Sequence, residues 1–320
     1  MSAYGYLYVY FKKLKLTRDD QRIYFALSRD GLHFQEINQG RPVLVSDMGT
    51  KGLRDPHIFK SRIDGKYYLL ATDLDCNSNK WKDFSTKGSK DIFVAESENL
   101  IHWKSEMVNV CGSDIGCVWA PKVCFDEEKQ QYVLFFSGSE PERVCMKVYY
   151  TVTTDFKSFS KPGILIDKYE NKEKKKYRYS PWPFAPKYIT HIDSTTIYVD
   201  GIYYRFTKNE SLKIIQEEYS KSICSGFKLI TDCVAGEAGV EGPGVYKLFD
   251  SDTYVLMMDG YIKPNTGVGY FPLTASTEEL KQGKFHRLQS GEYAFPSCCK
   301  HGSIITIDEE AYNNLKKMSS

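Results

Sequence analysis

Three carboxylates, Asp55, Asp193 and Glu241, stand at the starts of similar apolar segments far apart in the chain. The segments are Asp55-Pro56-His57-Ile58-Phe59, Asp193-Ser194-Thr195-Thr196-Ile197 and Glu241-Gly242-Pro243-Gly244-Val245. A fourth, Pro121-Lys122-Val123-Cys124-Phe125, shares the pattern but carries Lys122 where an acid would stand. A repeat that gathers these starts into one ring would place two or three carboxylates around a single concave opening. Such a constellation suits cleavage of a glycosidic bond. One carboxyl holds a proton for the leaving oxygen, and an ionised one activates water. A third negative charge, or an apolar wall, raises the pKa of the acid by disfavouring its anion. Taken singly, each residue also has an ordinary structural role. An Asp before Pro forms turns, Asp193 could cap a strand, and Glu241 could be solvated. Their recurrence at matching positions is what favours chemistry.

The elements that must position these residues are strands. Runs such as Ile23 to Leu27, Tyr67 to Thr72, Tyr132 to Phe136, Tyr203 to Thr207 and Tyr254 to Met258 lie between turn signals such as Asp64-Gly65 and Asp200-Gly201. Helical periodicity is confined to Asp308 to Met318. A second repeat supports the first. Ser28-Arg29-Asp30-Gly31-Leu32-His33-Phe34 aligns with Ser97-Glu98-Asn99-Leu100-Ile101-His102-Trp103 and with Thr153-Thr154-Asp155-Phe156-Lys157-Ser158-Phe159. Looser echoes occur near Ser222 to Phe227 and Ser276 to Phe285. Self-similarity at roughly 45 to 70 residues, with about four strands per unit, is the signature of a β-propeller. Four units run from Asp55 to about Phe285. The N-terminal strands and Ser303 to Ile307 complete a fifth if the two ends pair. The expectation is an all-β, five-bladed propeller formed as one domain over residues 1–320, without a free sheet edge.

Composition narrows the partners. The 320 residues carry a net charge of +2, with 42% apolar and 26% charged residues. That balance gives no support for a nucleic-acid or anionic-membrane partner. The basic run Lys172 to Lys176 reads as a solvated loop. No apolar stretch reaches the roughly 18 residues that span a bilayer, and Met1 to Phe11 reads as a strand rather than a leader. Nine cysteines lack paired metal-ligand spacing, so reduced thiols and a reducing, cytoplasmic location are expected. No cofactor or metal is expected.

Taken in order, Arg54-Asp55-Pro56, Trp119-Ala120-Pro121, Ile192-Asp193-Ser194-Thr195 and Val240-Glu241-Gly242-Pro243 resemble the motif series of glycoside hydrolase family 43. The resemblance covers essentially the whole chain, including Tyr204-Arg205-Phe206-Thr207-Lys208 and His301-Gly302-Ser303. It implies a five-bladed propeller that hydrolyses terminal α-L-arabinofuranosyl or β-D-xylosyl linkages of oligo- or polysaccharides, with inversion. It also implies roles: Asp55 as general base, Asp193 as the residue that tunes and orients the acid, and Glu241 as general acid. Substrate contacts are expected from Arg54, Trp119, Lys122, Trp182, Arg205 and His301. Trp119 and Trp182 could equally pack in the core or a loop, Arg205 could form a structural ion pair, and His301 could be a satisfied core histidine. Trp103 reads as blade packing. Relatives usually carry Asp or Glu after Trp-Ala-Pro, and Lys122 departs from that pattern. An ammonium there would favour ionised carboxylates and weaken a proton donor. A non-catalytic glycan-binding propeller is the alternative that Lys122 supports. A fructosyl-cleaving retaining enzyme would need an Asn-Asp-Pro motif near the N-terminus, and the chain has none.

Overall fold

Each sequence repeat folds as one four-stranded antiparallel sheet. In the computed structural model, which describes residues 2–13, 19–78, 80–176 and 184–318, the chain starts with β1 (Gly5–Phe11), β2 (Ile23–Ser28) and β3 (Gln35–Glu36). The second sheet is β4 (Leu53–Lys60), β5 (Tyr67–Asp73), β6 (Asp91–Ser97) and β7 (Lys104–Asn109), with helix α1 (Trp81–Lys87) between its second and third strands. The third is β8 (Trp119–Asp126), β9 (Gln131–Gly138), β10 (Lys147–Thr153) and β11 (Gly163–Ile166). A two-stranded ribbon, β12 (Tyr169–Glu170) with β13 (Tyr188–Ile189), leads to β14 (His191–Val199), β15 (Ile202–Asn209), β16 (Ile214–Ser220) and β17 (Lys228–Thr231). The fifth sheet is β18 (Val240–Lys247), β19 (Thr253–Gly260), β20 (Gly269–Ser276) and β21 (His286–Arg287), with α2 (Thr277–Lys281) after β20. Finally β22 (Ser303–Ile307) returns to β1, setting Tyr6 opposite Thr306 and Tyr8 opposite Ile304. Strands from the two ends of the sequence thus share one sheet, which closes a five-bladed β-propeller. Helix α3 (Glu309–Lys317) follows, capped by the Asp308 side chain on the Ala311 N–H.

Strands β4, β8, β14, β18 and β22 touch in a closed ring and line the central channel. Aromatic and aliphatic side chains fill the wedges between neighbouring sheets, for example Tyr68, Leu70, Leu134, Phe136 and Phe156. Burying each such side chain contributes roughly 2 kcal/mol. The third strand of every sheet ends in a hydroxyl residue: Ser28, Ser97, Thr153, Ser220 and Ser276. In the first three sheets that hydroxyl accepts a backbone N–H three residues on, from Gly31, Leu100 or Phe156. Asp30, Asn99 and Asp155 accept the next pairs of N–H groups. The second sequence repeat is therefore a turn device, in which a short polar side chain replaces the missing ladder partner.

The first repeat has a different cause. The four inner strands β4, β8, β14 and β18 each shift register near their start. At each shift one residue takes a left-handed backbone: Asp55 (φ 51°), Ala120 (φ 48°), Asp193 (φ 50°) and Gly242 (φ 55°). A bulge re-aims side chains, and Asp is among the few side-chain-bearing residues that tolerate positive φ. At the fourth bulge an added Cβ would lie 2.2 Å from Cγ of His301, so Gly242 is required there. This alignment corrects the sequence register. Asp55 and Asp193 are equivalent, whereas Glu241 precedes its bulge and is the counterpart of Arg54 and Trp119. Lys122 follows its bulge and is the counterpart of His57.

Candidate active site

One cavity of about 800 Å³ opens at the channel mouth, and Arg54, Asp55, Trp119, Asp193, Glu241 and His301 all line it. Its volume falls in the range of small-molecule sites. The three carboxylates singled out in the sequence therefore share one opening.

Asp55 is the most tightly held. Its Oδ2 accepts from Oγ1 of Thr72 at 2.7 Å, and its Oδ1 lies 2.6 Å from Nε2 of His301. Thr72 in turn accepts the Ala120 N–H of the next blade at 2.7 Å, so a middle-strand hydroxyl ties two bulges together. Burial pushes the Asp55 carboxyl upward. The hydrogen bond and charge of His301, with Arg54 and Thr72, outweigh it and hold the group well below the usual carboxylate range. His301 is bonded on both sides, since Nδ1 lies 3.3 Å from Oδ2 of Asp259. Burial lowers its pKa, but Asp259 and Asp55 raise it to about 10, so the ring is an imidazolium that donates from both nitrogens. Lys300 completes the row, with Nζ 2.5 Å from Oδ2 of Asp259.

Asp193 is positioned by its backbone, whose N–H donates to Oγ of Ser137 at 2.9 Å, and its Oδ2 accepts the Gly242 N–H at 3.2 Å. Burial first, then the charges of Glu241 and Asp55, lift its pKa to about 6 against the opposing pull of Lys208 and His301. Glu241 is ion-paired instead: its Oε2 accepts from Nζ of Lys208 at 2.9 Å. That ammonium also lies 2.7 Å from Oε2 of Glu210 and 4.6 Å from the centre of the Tyr261 ring.

Lys122 is buried on an inner strand and stays out of the cavity lining. It is 6% exposed, and its Nζ donates to the carbonyls of Gly302 at 3.1 Å and Pro56 at 3.4 Å. Burial lowers its pKa to about 8, although Asp55 and Asp193 favour the charged form. It braces the two backbone stretches that carry Asp55 and His301, and it does not line the cavity. Arg205 is placed elsewhere altogether. It lies on the middle strand β15, 3% exposed, bonded to Glu218 at 2.6 and 3.0 Å and stacked on Phe227 at 3.7 Å. Paired with Glu218, stacked on Phe227 and absent from the cavity lining, it serves as a structural ion pair. Trp182 lies outside the described residues.

Trp119 meets Trp81 of α1 edge to face, with ring centroids 6.3 Å apart, on the cavity wall. Such a pair offers an apolar platform to a sugar face. Trp81, Asp259, Lys208 and Lys300 were missed in the sequence. Asp259 directly follows the apolar run Tyr254 to Met258, where a lone charge calls for a buried partner. Glu241, Asp259 and His301 present ligand-type atoms within 4.8 Å of one another. In this structure His301 is bonded to Asp55 and Asp259, and Lys208 and Lys300 pair the two carboxylates.

Comparison with known proteins agrees with this geometry. Over residues 2–313 the chain matches the profile of the glycoside hydrolase family 43-related family, described as a probable glycosyl hydrolase domain. It is 30% identical over 202 residues to an α-L-arabinofuranosidase of Bifidobacterium longum subsp. longum, a match covering 57% of this chain and 17% of that protein. It is 33% identical over 89 residues to a 1,2-β-oligomannan phosphorylase of a Thermoanaerobacter species, covering 27% and 26% of the two chains. The chain thus spans a minor part of both relatives. Among solved structures, a family 43 β-1,3-galactosidase with galactodeoxynojirimycin superposes with a TM-score of 0.51 at 17% identity, covering 77% of this chain and 80% of that one. The chain belongs to the family 43-related glycoside hydrolases.

Proposed function

We propose that the protein is an exo-acting glycosidase that releases terminal α-L-arabinofuranosyl or β-D-xylosyl residues with inversion. The observation that carries this reading is the convergence of Asp55, Asp193 and Glu241 on one cavity at the channel mouth. Asp55, held ionised by His301, is the base that takes a proton from water. Glu241 gives a proton to the leaving oxygen, and Asp193 sets the charge against which Glu241 is protonated. The arabinofuranosidase match supports the pentose choice.

The Lys208–Glu241 ion pair favours a second reading, a glycan-binding propeller without turnover, because it engages the carboxylate that would have to give the proton. The two readings part on one experiment. Nitrophenyl α-L-arabinofuranoside, β-D-xyloside and β-D-galactoside are offered to the wild type and to Asp55→Asn and Glu241→Gln, and the first-formed anomer is read by NMR. Turnover of a pentoside to the inverted anomer, lost in Asp55→Asn, is expected. Turnover that both variants keep overturns the assignment. Oligosaccharide binding with no turnover establishes the binding module.

A further inference from the structure

Charge pairing around the cavity is uneven. Asp55 is matched by His301, Asp259 by Lys300 and His301, and Glu241 by Lys208. Two cations that line the same cavity, Lys13 and Arg54, have no carboxylate within 4.0 Å among the described residues. Arg54 lies on β4, Lys13 follows the end of β1, and these two strands pack together. The Arg54 guanidinium stacks on Phe11 at 4.5 Å and gives one N–H to the Cys76 thiol at 3.2 Å. Sulfur is a weak acceptor, so this contact orients the guanidinium without neutralising it. Lys13 follows Phe11 by two residues, is exposed, and is fixed by its backbone N–H on the Cys298 carbonyl at 3.2 Å. Arg54 is thus held against Phe11, two residues before Lys13 in the chain, and both cations line the cavity. Asp75, next to Cys76 in the chain, accepts from Gln21 at 3.1 Å and from the Asn77 N–H at 3.0 Å, and Asp20 has a partner of its own.

A neutral pentose gives such a pair nothing to neutralise. We propose that Arg54 and Lys13 form a subsite for an oxyanion beside Asp55, taking the carboxylate or phosphate of a charged sugar, or free phosphate. The planar guanidinium offers parallel N–H donors to two oxygens of one anion, and the lysine adds a point charge at the open end. The subsite rests on the cavity being the substrate site and names the class of group that one substrate position carries.

Binding to the whole protein, followed by calorimetry at constant ionic strength, tests this without any need for turnover. The probes are inorganic phosphate, D-glucuronate, and neutral D-xylose and D-glucose as size controls. An oxyanion is expected to bind at least about tenfold more tightly than either neutral sugar, as a charge-assisted hydrogen bond requires. Arg54→Gln and Lys13→Gln should each remove most of that advantage, with Arg54→Lys restoring part of it. Binding of glucuronate but not phosphate identifies a sugar-borne group, and the converse identifies free phosphate; either supports the subsite. Equal binding of charged and neutral sugars overturns it, as does oxyanion binding that survives both Gln variants, or none at tens of millimolar. Lys13 is exposed, so its variant keeps the test decisive if Arg54→Gln fails to fold. A protein that turns over pentosides yet ignores every oxyanion refutes the subsite alone. One that binds oxyanions without hydrolysing any glycoside refutes the hydrolytic reading alone.

Discussion

His301 donates through Nε2 to Oδ1 of Asp55 at 2.6 Å, across 246 residues of sequence. Breaking a buried pair strands its partner, so His301→Ala leaves Asp55 and Asp259 facing each other with less positive charge. A loss of about 3 to 5 kcal/mol in stability is expected by denaturant unfolding. The pH dependence has two limbs. The depressed Asp55 carboxyl adds stability above its ordinary 3.8, lost as the pH falls toward its folded value. The raised His301 adds stability fully present below 6.5 and lost as the pH rises toward about 10. Both limbs should flatten in the variant, and the acid limb of activity should move to higher pH.

Lys208 is the ion-pair partner of Glu241. Lys208→Met removes the ammonium 2.9 Å from Oε2 of Glu241, so protonation becomes easier. If Glu241 is the acid, the basic limb of kcat/KM moves to higher pH. Stability should fall by about 3 kcal/mol, because Glu210 loses the same partner. A profile that does not move, measured with a nitrophenyl glycoside, removes Glu241 from the proton-donor role.

Lys122 is costly as an ammonium. Its pKa falls from 10.5 to about 8, so the folded state holds fewer protons than the unfolded one between those values. Folding therefore gains as the pH rises from 8 to 10.5, and the penalty is complete below 8. Lys122→Met should raise the Tm at pH 7, by about 2 kcal/mol of stability. The difference should vanish above pH 10.5.

Glu217 is fully buried on β16, and neither carboxylate oxygen has a hydrogen-bond partner among the described residues. Burial raises its pKa from 4.5 to about 8. The group holds its proton in the fold, so its penalty grows as the pH rises from 4.5 to about 8 and is absent below 4.5. Glu217→Met should stabilise the protein at pH 8 by on the order of 2 kcal/mol and leave it unchanged at pH 4 in thermal unfolding.

Much of the fold was legible because its causes are local. Apolar runs between turns gave the strands, and the Ser/Thr and Asp/Asn pattern after the third strand of the first three sheets follows from backbone groups that need a partner. The helix predicted over Asp308 to Met318 forms as Glu309–Lys317. Helices α1 and α2 were not legible. Each is only one to two turns long, too short to show a period.

The repeat, the strands and the carboxylates Asp55, Asp193 and Glu241 follow from residue type and spacing, because these answer to local backbone demands. Only the closed ring decided their electrical state. Arg205, which looked available for substrate, is consumed within its own blade by Glu218. Lys122, which looked like a change in the site, is a brace outside the cavity lining. Asp259, Lys208 and Lys300 enter the site through partners on other strands. A charge inside a protein is defined by what neutralises it, and that neighbour is chosen by how the blades meet.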